Sequence, residues 1–162
     1  MHIGIIVYSH TDHTLSVARK LEEQLVAEGH HVTLEELEID GPVNLSATTA
    51  PLKHRPAIGS YDALVLGTPV NGGRMSAAMK SYLDQIRSLE GTPIALLLTH
   101  FFPRGWGADQ TIEQMTEVCE SKGAAIVGAG DVRWTSFRRR RQIARAAADL
   151  SDLLQEAVAS GT

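Results

Sequence analysis

The sequence has few of the residues that build several common kinds of site. Only one of its 162 residues is a cysteine, Cys119, so an internal disulfide, a cysteine-cluster zinc site and a Cys-x-x-Cys redox pair are excluded. No apolar run approaches the ~18 residues that a membrane-spanning helix needs. The first residues show neither the basic region nor the small-residue cleavage site of a secretory signal. We therefore expect a cytoplasmic protein without a membrane span, in which Cys119 is a buried structural thiol.

Charge of one sign is not in large excess either. The 15 basic and 19 acidic residues give a net charge of −4, which is too mild an imbalance to recruit nucleic acid by bulk electrostatics. The seven histidines show no His-Glu-x-x-His or cysteine–histidine spacing, so we expect no metal site. With 43% hydrophobic and 21% charged residues, the chain has an ordinary globular composition, and its length predicts a single domain over residues 1–162.

Short β-branched runs recur along the chain and predict strands buried on both faces of a parallel sheet. They lie at residues 3–7, 32–37, 63–66, 94–98 and 124–127. Between them, apolar residues recur at helical spacing, as do Leu15, Ala18, Leu21 and Leu25. This alternation predicts an α/β fold, a three-layer sandwich with a five-stranded parallel sheet. Residues 40–60, which are rich in proline and glycine, predict a loop with one helical turn at most.

The ligand of an open parallel sheet binds at the carboxyl ends of the strands, beside the point where the strand order reverses. The loops after strands one, three and four cover residues 8–14, 67–75 and 99–107. The first loop contains the hydroxyls of Ser9, Thr11 and Thr14 and leads into a helix, whose N-terminal N–H groups favour phosphate. The alternative is that Ser9, Thr11 or Asp12 only caps this helix.

Two motifs in these loops resemble the flavodoxin family. Ser9-His10-Thr11-Asp12-His13-Thr14 matches its phosphate loop, T/S-x-T-G-x-T, at the three hydroxyl positions, and residues 67–84 are similar to the flavin-ring loop and following helix of its quinone-reductase branch. The resemblance covers nearly the whole chain and implies a flavodoxin-like sheet of order 2-1-3-4-5 with FMN as the cofactor. Together with the loops, it predicts these cofactor-binding residues: Ser9, His10, Thr11, Asp12, His13, Thr14, Pro69, Val70, Asn71, Gly72, Gly73, Arg74, Thr99, His100, Phe101 and Trp106.

Asp12 departs from the family pattern, because it stands where the phosphate loop has glycine. Its carboxylate would repel a phosphate dianion. Either the side chain turns away or the phosphate is bound weakly. A further alternative is that Asp12 caps the helix and itself occupies the anion site. His10 and His13 flank Asp12 and would offset its charge if they were protonated.

The predicted ring loop has no aromatic residue to cover a flavin. Residues 70–73 offer backbone N–H groups and the Asn71 amide without bulk, although an ordinary Asn-Gly-Gly turn explains the same residues. Phe101, Phe102 and Trp106, three of the chain's eight aromatics, lie in the loop after strand four. They are candidates for contact with a ligand or partner, unless Phe101 points into the core.

These features predict an FMN-dependent oxidoreductase that uses NAD(P)H to reduce a quinone or similar acceptor. Two alternatives remain: a one-electron carrier that receives electrons from a redox partner protein, and a flavin-free binding or regulatory domain. Because the flavin supplies the redox chemistry, no side chain is assigned an acid–base role. A homo-oligomer is also compatible with the sequence.

An arginine block follows the fifth strand. It comprises Arg138 to Arg141, with Arg133 and Arg145 nearby. The block is either a docking site for an acidic redox partner or a dinucleotide phosphate, or the solvated face of the last helix.

Overall fold

The computed structural model describes residues 1–161. Its elements alternate along the chain in the order β1 (His2–Val7), α1 (His13–Ala27), β2 (His31–Glu36), β3 (Ala63–Asn71), β4 (Arg74–Met75), α2 (Ala77–Gln85), β5 (Pro93–His100), a short 3-10 helix (Arg104–Trp106), α3 (Ala108–Glu120), β6 (Ala125–Arg133) and α4 (Arg139–Ser160).

Five parallel strands form the sheet in the order β2-β1-β3-β5-β6, and the two-residue β4 pairs antiparallel with the end of β3. Without β4, this is the predicted order 2-1-3-4-5, which is confirmed together with the α/β sandwich. The central strands β1, β3 and β5 are the most buried, while β2 and β6 are the half-exposed edges. The β-branched runs therefore located all five strands, although β3, β5 and β6 continue well past the apolar residues that predicted them.

Helices cover both faces of the sheet. On one face, α1 and α4 pack together over Ile3, Ile5 and Val7, and on the other, α2 and α3 cover Leu64, Leu66 and neighbouring side chains. Cys119 is fully buried in the second of these layers, as expected. Within residues 1–161, no helix combines the length and the apolar character that spanning a membrane requires.

The crossover connection between β2 and β3, which the structure describes throughout, contains no helix, although such connections usually do. Its residues form turns and one isolated bridge between Ile39 and Leu52, without the single helical turn that the sequence allowed. Ile58 packs against the α2 side of the core, and the buried Tyr82 hydroxyl donates a hydrogen bond to the Pro56 carbonyl at 2.6 Å. A few anchored side chains thus cover this part of the sheet.

Candidate functional site

The loops after β1, β3 and β5 meet at the carboxyl end of the sheet and enclose two adjoining clefts, as the switch-point rule predicts. The first cleft measures about 170 Å³ and the second about 230 Å³. The first is lined by Ser9, His10, Thr11, His13, Thr14, Leu45, Pro69, Val70, Asn71, Thr99, His100, Phe101 and Trp134. The second shares Val70, His100 and Phe101 with it, and adds Gly72, Gly73, Phe102, Pro103, Trp106 and Ala108. Of the predicted cofactor-binding residues, only Asp12 and Arg74 line neither cleft.

The loop between β1 and α1 presents a row of unused hydrogen-bond donors. In the part of the chain that the structure describes, no protein atom accepts a hydrogen bond from the backbone N–H groups of residues 9–14. The next N–H, that of Leu15, donates to the Ser9 hydroxyl oxygen at 3.2 Å. Backbone N–H groups at the start of a helix form an anion-binding cradle, since they combine donors with the positive end of the helix dipole.

Asp12 occupies the N-cap position of α1 but makes no side-chain capping hydrogen bond. Its backbone has φ of 62° and ψ of 5°, and among the described residues it is the only non-glycine with positive φ. Glycine adopts this left-handed conformation without cost, whereas L-residues rarely do. The carboxylate is exposed, and after burial its charge is the next cause of the raised pKa of Glu36 at the end of β2. The side chain therefore turns from the helix N terminus rather than filling the anion site.

Two of the predicted hydroxyls have structural partners. Thr14 is buried, and its hydroxyl oxygen lies 2.8 Å from that of Thr99, which ties α1 to β5 beneath the loop. Ser9 caps the helix through the N–H of Leu15. The capping alternative therefore holds for Ser9 and not for Asp12. Thr11 is exposed at the cleft.

The loop that connects β3 to β4 packs closely against the start of α3. A Cβ on Gly107, whose φ is 134°, would lie 3.1 Å from the Gly73 Cα and 3.2 Å from the Val70 side chain. Gly72 and Gly73 also have positive φ. Gly72 and Gly73 line the second cleft, and a larger residue at Gly107 would press against the backbone that carries them.

The aromatic residues after β5 lie outside the core. Phe101 is 49% exposed, Phe102 63% and Trp106 72%, which excludes the alternative that Phe101 is a core residue. The rings of Phe102 and Trp106 are 6.2 Å apart and flank the second cleft. Because exposed apolar surface in a contiguous patch marks a binding region, these rings point to a ligand or a partner.

The buried His100 belongs to a charge network that extends to the surface and that the sequence did not reveal. Its Nε2 lies 2.7 Å from an Asp131 carboxylate oxygen and its Nδ1 lies 2.7 Å from the Phe102 carbonyl oxygen. Both partners only accept hydrogen bonds, so the two ring nitrogens are both satisfied only in the protonated imidazolium. Arg104 pairs with the other Asp131 oxygen at 3.1 Å and with Asp109 at 2.8 Å. The network joins the aromatic loop to β6.

The pKa shifts agree with this geometry. Burial lowers the pKa of His100, but the hydrogen bonds to Asp131 and Phe102 and the charge of Asp131 outweigh it, so the net pKa is raised. The hydrogen bond from His100 lowers the pKa of Asp131. The stability from His100 is present below its unfolded pKa of about 6.5 and is lost as the pH rises through its folded value. The stability that Asp131 contributes is present above its unfolded pKa of about 3.9 and is lost as the pH falls through its lower folded pKa.

Trp134 and Leu45 also line the first cleft, and neither is among the residues predicted from the sequence. The indole of Trp134 stacks on His13, with 4.1 Å between ring centroids and 15° between planes. Burial and the charge of Arg139 lower the pKa of His13, so at neutral pH this histidine does not offset the charge of Asp12. Trp134 directly follows β6, so extending the strand-end rule to the fifth strand would have found it. Nothing in the sequence singles out Leu45.

The model of one protein family, described as NADPH-dependent FMN reductase, matches residues 1–138. This chain belongs to that family. Solved structures with the same fold include the oxidised flavodoxin 1 of Bacillus cereus, with 16% identity, a TM-score of 0.67, and coverage of 96% of this chain and 98% of that one. A WrbA-like flavodoxin protein of Agrobacterium tumefaciens shares 14% identity, with a TM-score of 0.68 and the same coverage. Flavodoxin 2 of Bacillus cereus shares 19%, with a TM-score of 0.64 and coverage of 96% and 99%.

Membership of the NADPH-dependent FMN reductase family indicates FMN as the cofactor and a redox function associated with it. The site fits this group in two respects. The unpartnered N–H groups of residues 9–14 suit a phosphate, and the adjoining clefts offer a site of the size that small ligands occupy, ~300–1,000 Å³. Asp12 is the one acidic residue of the three loops at residues 8–14, 67–75 and 99–107, and it lines neither cleft.

Proposed function

We propose that this protein is an FMN-dependent oxidoreductase that transfers two electrons from NAD(P)H to a quinone or similar acceptor. The observation that carries this proposal is one wall of the second cleft: between Val70 and Gly73 it has no bulky side chain that would cover a flavin ring, which leaves room for a flat substrate. The family description, which names NADPH, supports the electron donor.

The roles of the chain's own residues follow from the geometry. The N–H groups of residues 9–14 hold the FMN phosphate, with the exposed hydroxyl of Thr11 as a further donor. The glycines at 72 and 73 let the main chain approach the flavin ring. Bound FMN supplies hydride acceptance from the nicotinamide and electron donation to the quinone. The quinone takes up two electrons and two protons, and NADPH loses a hydride, so one proton comes from solvent.

An anaerobic titration tests this function. FMN is added to the purified protein while flavin fluorescence is followed, and riboflavin is titrated in parallel as the control that lacks the phosphate. We expect saturable FMN binding that is tighter than riboflavin binding. Addition of NADPH should then bleach the flavin absorbance, and a quinone should restore it. If neither NADPH nor NADH reduces the bound flavin, the proposed electron donor is wrong. If the protein takes up no FMN, the flavin-free binding or regulatory domain is favoured instead.

A one-electron carrier is the second candidate, and the exposed rings of Phe101, Phe102 and Trp106 favour it. Aromatic rings at the edge of a flavin site can cover the flavin and provide the apolar surface that a redox partner protein contacts. In this case NAD(P)H would leave the flavin oxidised, while chemically reduced protein would pass single electrons to a one-electron acceptor such as a haem protein.

A further inference from the structure

The segment that follows β6 concentrates positive charge in a chain of net charge −4. Residues 133–148 contain six of the 15 basic residues, all arginines, and no Asp or Glu. Arg138 to Arg141 occupy the N-cap and first turn of α4, where the helix dipole disfavours cations and where no acidic residue is present. Helix stability therefore does not explain the arrangement.

These arginines also lack partners of opposite charge. Among residues 1–161, no carboxylate oxygen lies within 4.0 Å of the guanidinium groups of Arg138 to Arg141, whereas Arg145 further along α4 lies 3.8 Å from Asp149. Four adjacent cations without counter-charge attract an anion from solution.

The arginines line a large open groove. It measures about 750 Å³ and is formed by residues 136–141. Its side includes Phe137, which is 93% exposed, and the Arg138 guanidinium lies 5.3 Å from the centre of this ring. A groove that combines an exposed aromatic ring with several guanidinium groups suits a ligand that carries both a flat base and phosphates.

A contact between Arg139, which lines the groove, and Trp134, which lines the first cleft, connects the two. The guanidinium of Arg139 lies 4.6 Å from the Trp134 ring and donates to the Trp134 carbonyl at 3.0 Å. The Trp134 ring also stacks on His13, which lines the first cleft. The contacts from Arg139 to Trp134 and from Trp134 to His13 thus link the arginine groove to the loop proposed to hold FMN.

We propose that this groove binds the adenosine half of NADPH, with Arg138, Arg140 and Arg141 around its 2′-phosphate, and that it makes the protein prefer NADPH over NADH. The inference rests on the proposed NAD(P)H-dependent function. A small phosphorylated nucleotide fits the groove better than a protein partner does, because one six-residue segment provides far less than the ~800 Å² per partner of a standard interface. The 2′-phosphate is the group by which the two dinucleotides differ, and guanidinium groups bind it in a bidentate manner.

Calorimetric titration of the FMN-loaded full chain with 2′,5′-ADP tests the site directly, and 5′-AMP serves as the ligand without the 2′-phosphate. We expect 2′,5′-ADP to bind at least tenfold more tightly than 5′-AMP. The double variant R140Q/R141Q should weaken 2′,5′-ADP binding about tenfold or more and leave FMN affinity unchanged. The control variant R55Q/R87Q removes the same charge from exposed arginines elsewhere and should match the wild type.

The proposed site would be wrong if 2′,5′-ADP and 5′-AMP bound with equal affinity. It would also be wrong if R140Q/R141Q and R55Q/R87Q changed 2′,5′-ADP affinity by the same factor. An anionic redox protein that binds through these arginines while 2′,5′-ADP does not bind would also overturn it. The proposed function fails in a different way, since it requires NADPH to bleach the flavin. Arginine-dependent binding of 2′,5′-ADP without flavin reduction would support the groove and contradict the oxidoreductase.

Discussion

The acidic residue in the predicted phosphate loop gives the most direct prediction about FMN affinity. Asp12→Asn removes the charge and retains a side chain of the same size that tolerates the left-handed backbone of this position. Asp12→Gly removes the charge and also the backbone strain. We expect both variants to bind FMN more tightly than the wild type, and Asp12→Gly to be the more stable protein as well.

The magnitude follows from Coulomb's law. Two unit charges 4 Å apart repel by about 1 kcal/mol in water and by about 4 kcal/mol at a protein surface. Because the Asp12 side chain is exposed and turned from the clefts, the lower value applies. About 1 kcal/mol corresponds to roughly fivefold tighter FMN binding in either variant. Relief of the left-handed conformation should add about 1 kcal/mol to the unfolding free energy of Asp12→Gly.

FMN and riboflavin titrations at low and high salt separate these effects. The gain from Asp12→Asn should be seen with FMN and not with riboflavin, and it should shrink as salt screens the charges. Urea denaturation of the flavin-free proteins measures the stability difference. If Asp12→Asn leaves the FMN dissociation constant unchanged or raises it, the carboxylate does not act on the phosphate and the reasoning is wrong.

Three further predictions concern stability. Asp131→Asn removes the charge that favours protonated His100, so we expect it to lower the free energy of unfolding by about 1–3 kcal/mol near pH 6. Stability should then depend less on pH between 6 and 9, as measured by urea denaturation at each pH. An unchanged pH profile would contradict the interaction between His100 and Asp131. Gly107→Ala should destabilise the protein by about 1–3 kcal/mol, because residue 107 has positive φ and a Cβ there would crowd the backbone of Gly73. Gly105→Ala is the control: its Cβ would meet open space at an ordinary φ, so we expect no change in stability. Equal melting temperatures of the two variants would refute this. Tyr82→Phe removes the hydrogen bond to the Pro56 carbonyl, which holds the segment between β2 and β3 against α2. We expect the free energy of unfolding to fall by about 1–2 kcal/mol and proteolysis within that segment to become faster. Unaltered cleavage rates would count against this role of the hydrogen bond.

Much of the fold was predictable because a strand that is buried on both faces of a sheet is written in the sequence as a continuous apolar run. The central strands β1, β3 and β5 are continuous apolar runs, and the stripe from Leu15 to Leu25 is buried as its helical spacing predicted. Strand ends were less predictable. Residues 67–71 of β3 pair with β5 or β4 through backbone hydrogen bonds that do not depend on apolar side chains.

The site was predictable where it follows the sheet topology and unpredictable where it depends on side-chain orientation. The loops after β1, β3 and β5 come together because parallel strands end at the same edge. The pairing of His100 with Asp131 depends on residues 31 positions apart on adjacent strands, and no local pattern encodes it. Likewise, the position of Leu45 is determined by an irregular segment without periodicity.

Charges of opposite sign lie near the two ends of the phosphate loop, although their side chains do not line the first cleft. On the β2 side, the charge of Asp12 acts on Glu36, whose pKa is raised by burial and by neighbouring carboxylates. On the β6 side, Arg139 stacks on Trp134 and helps to lower the pKa of His13. An anionic ligand is therefore repelled from the β2 edge and attracted towards β6 and α4. This polarity favours entry of a phosphorylated dinucleotide from the arginine side.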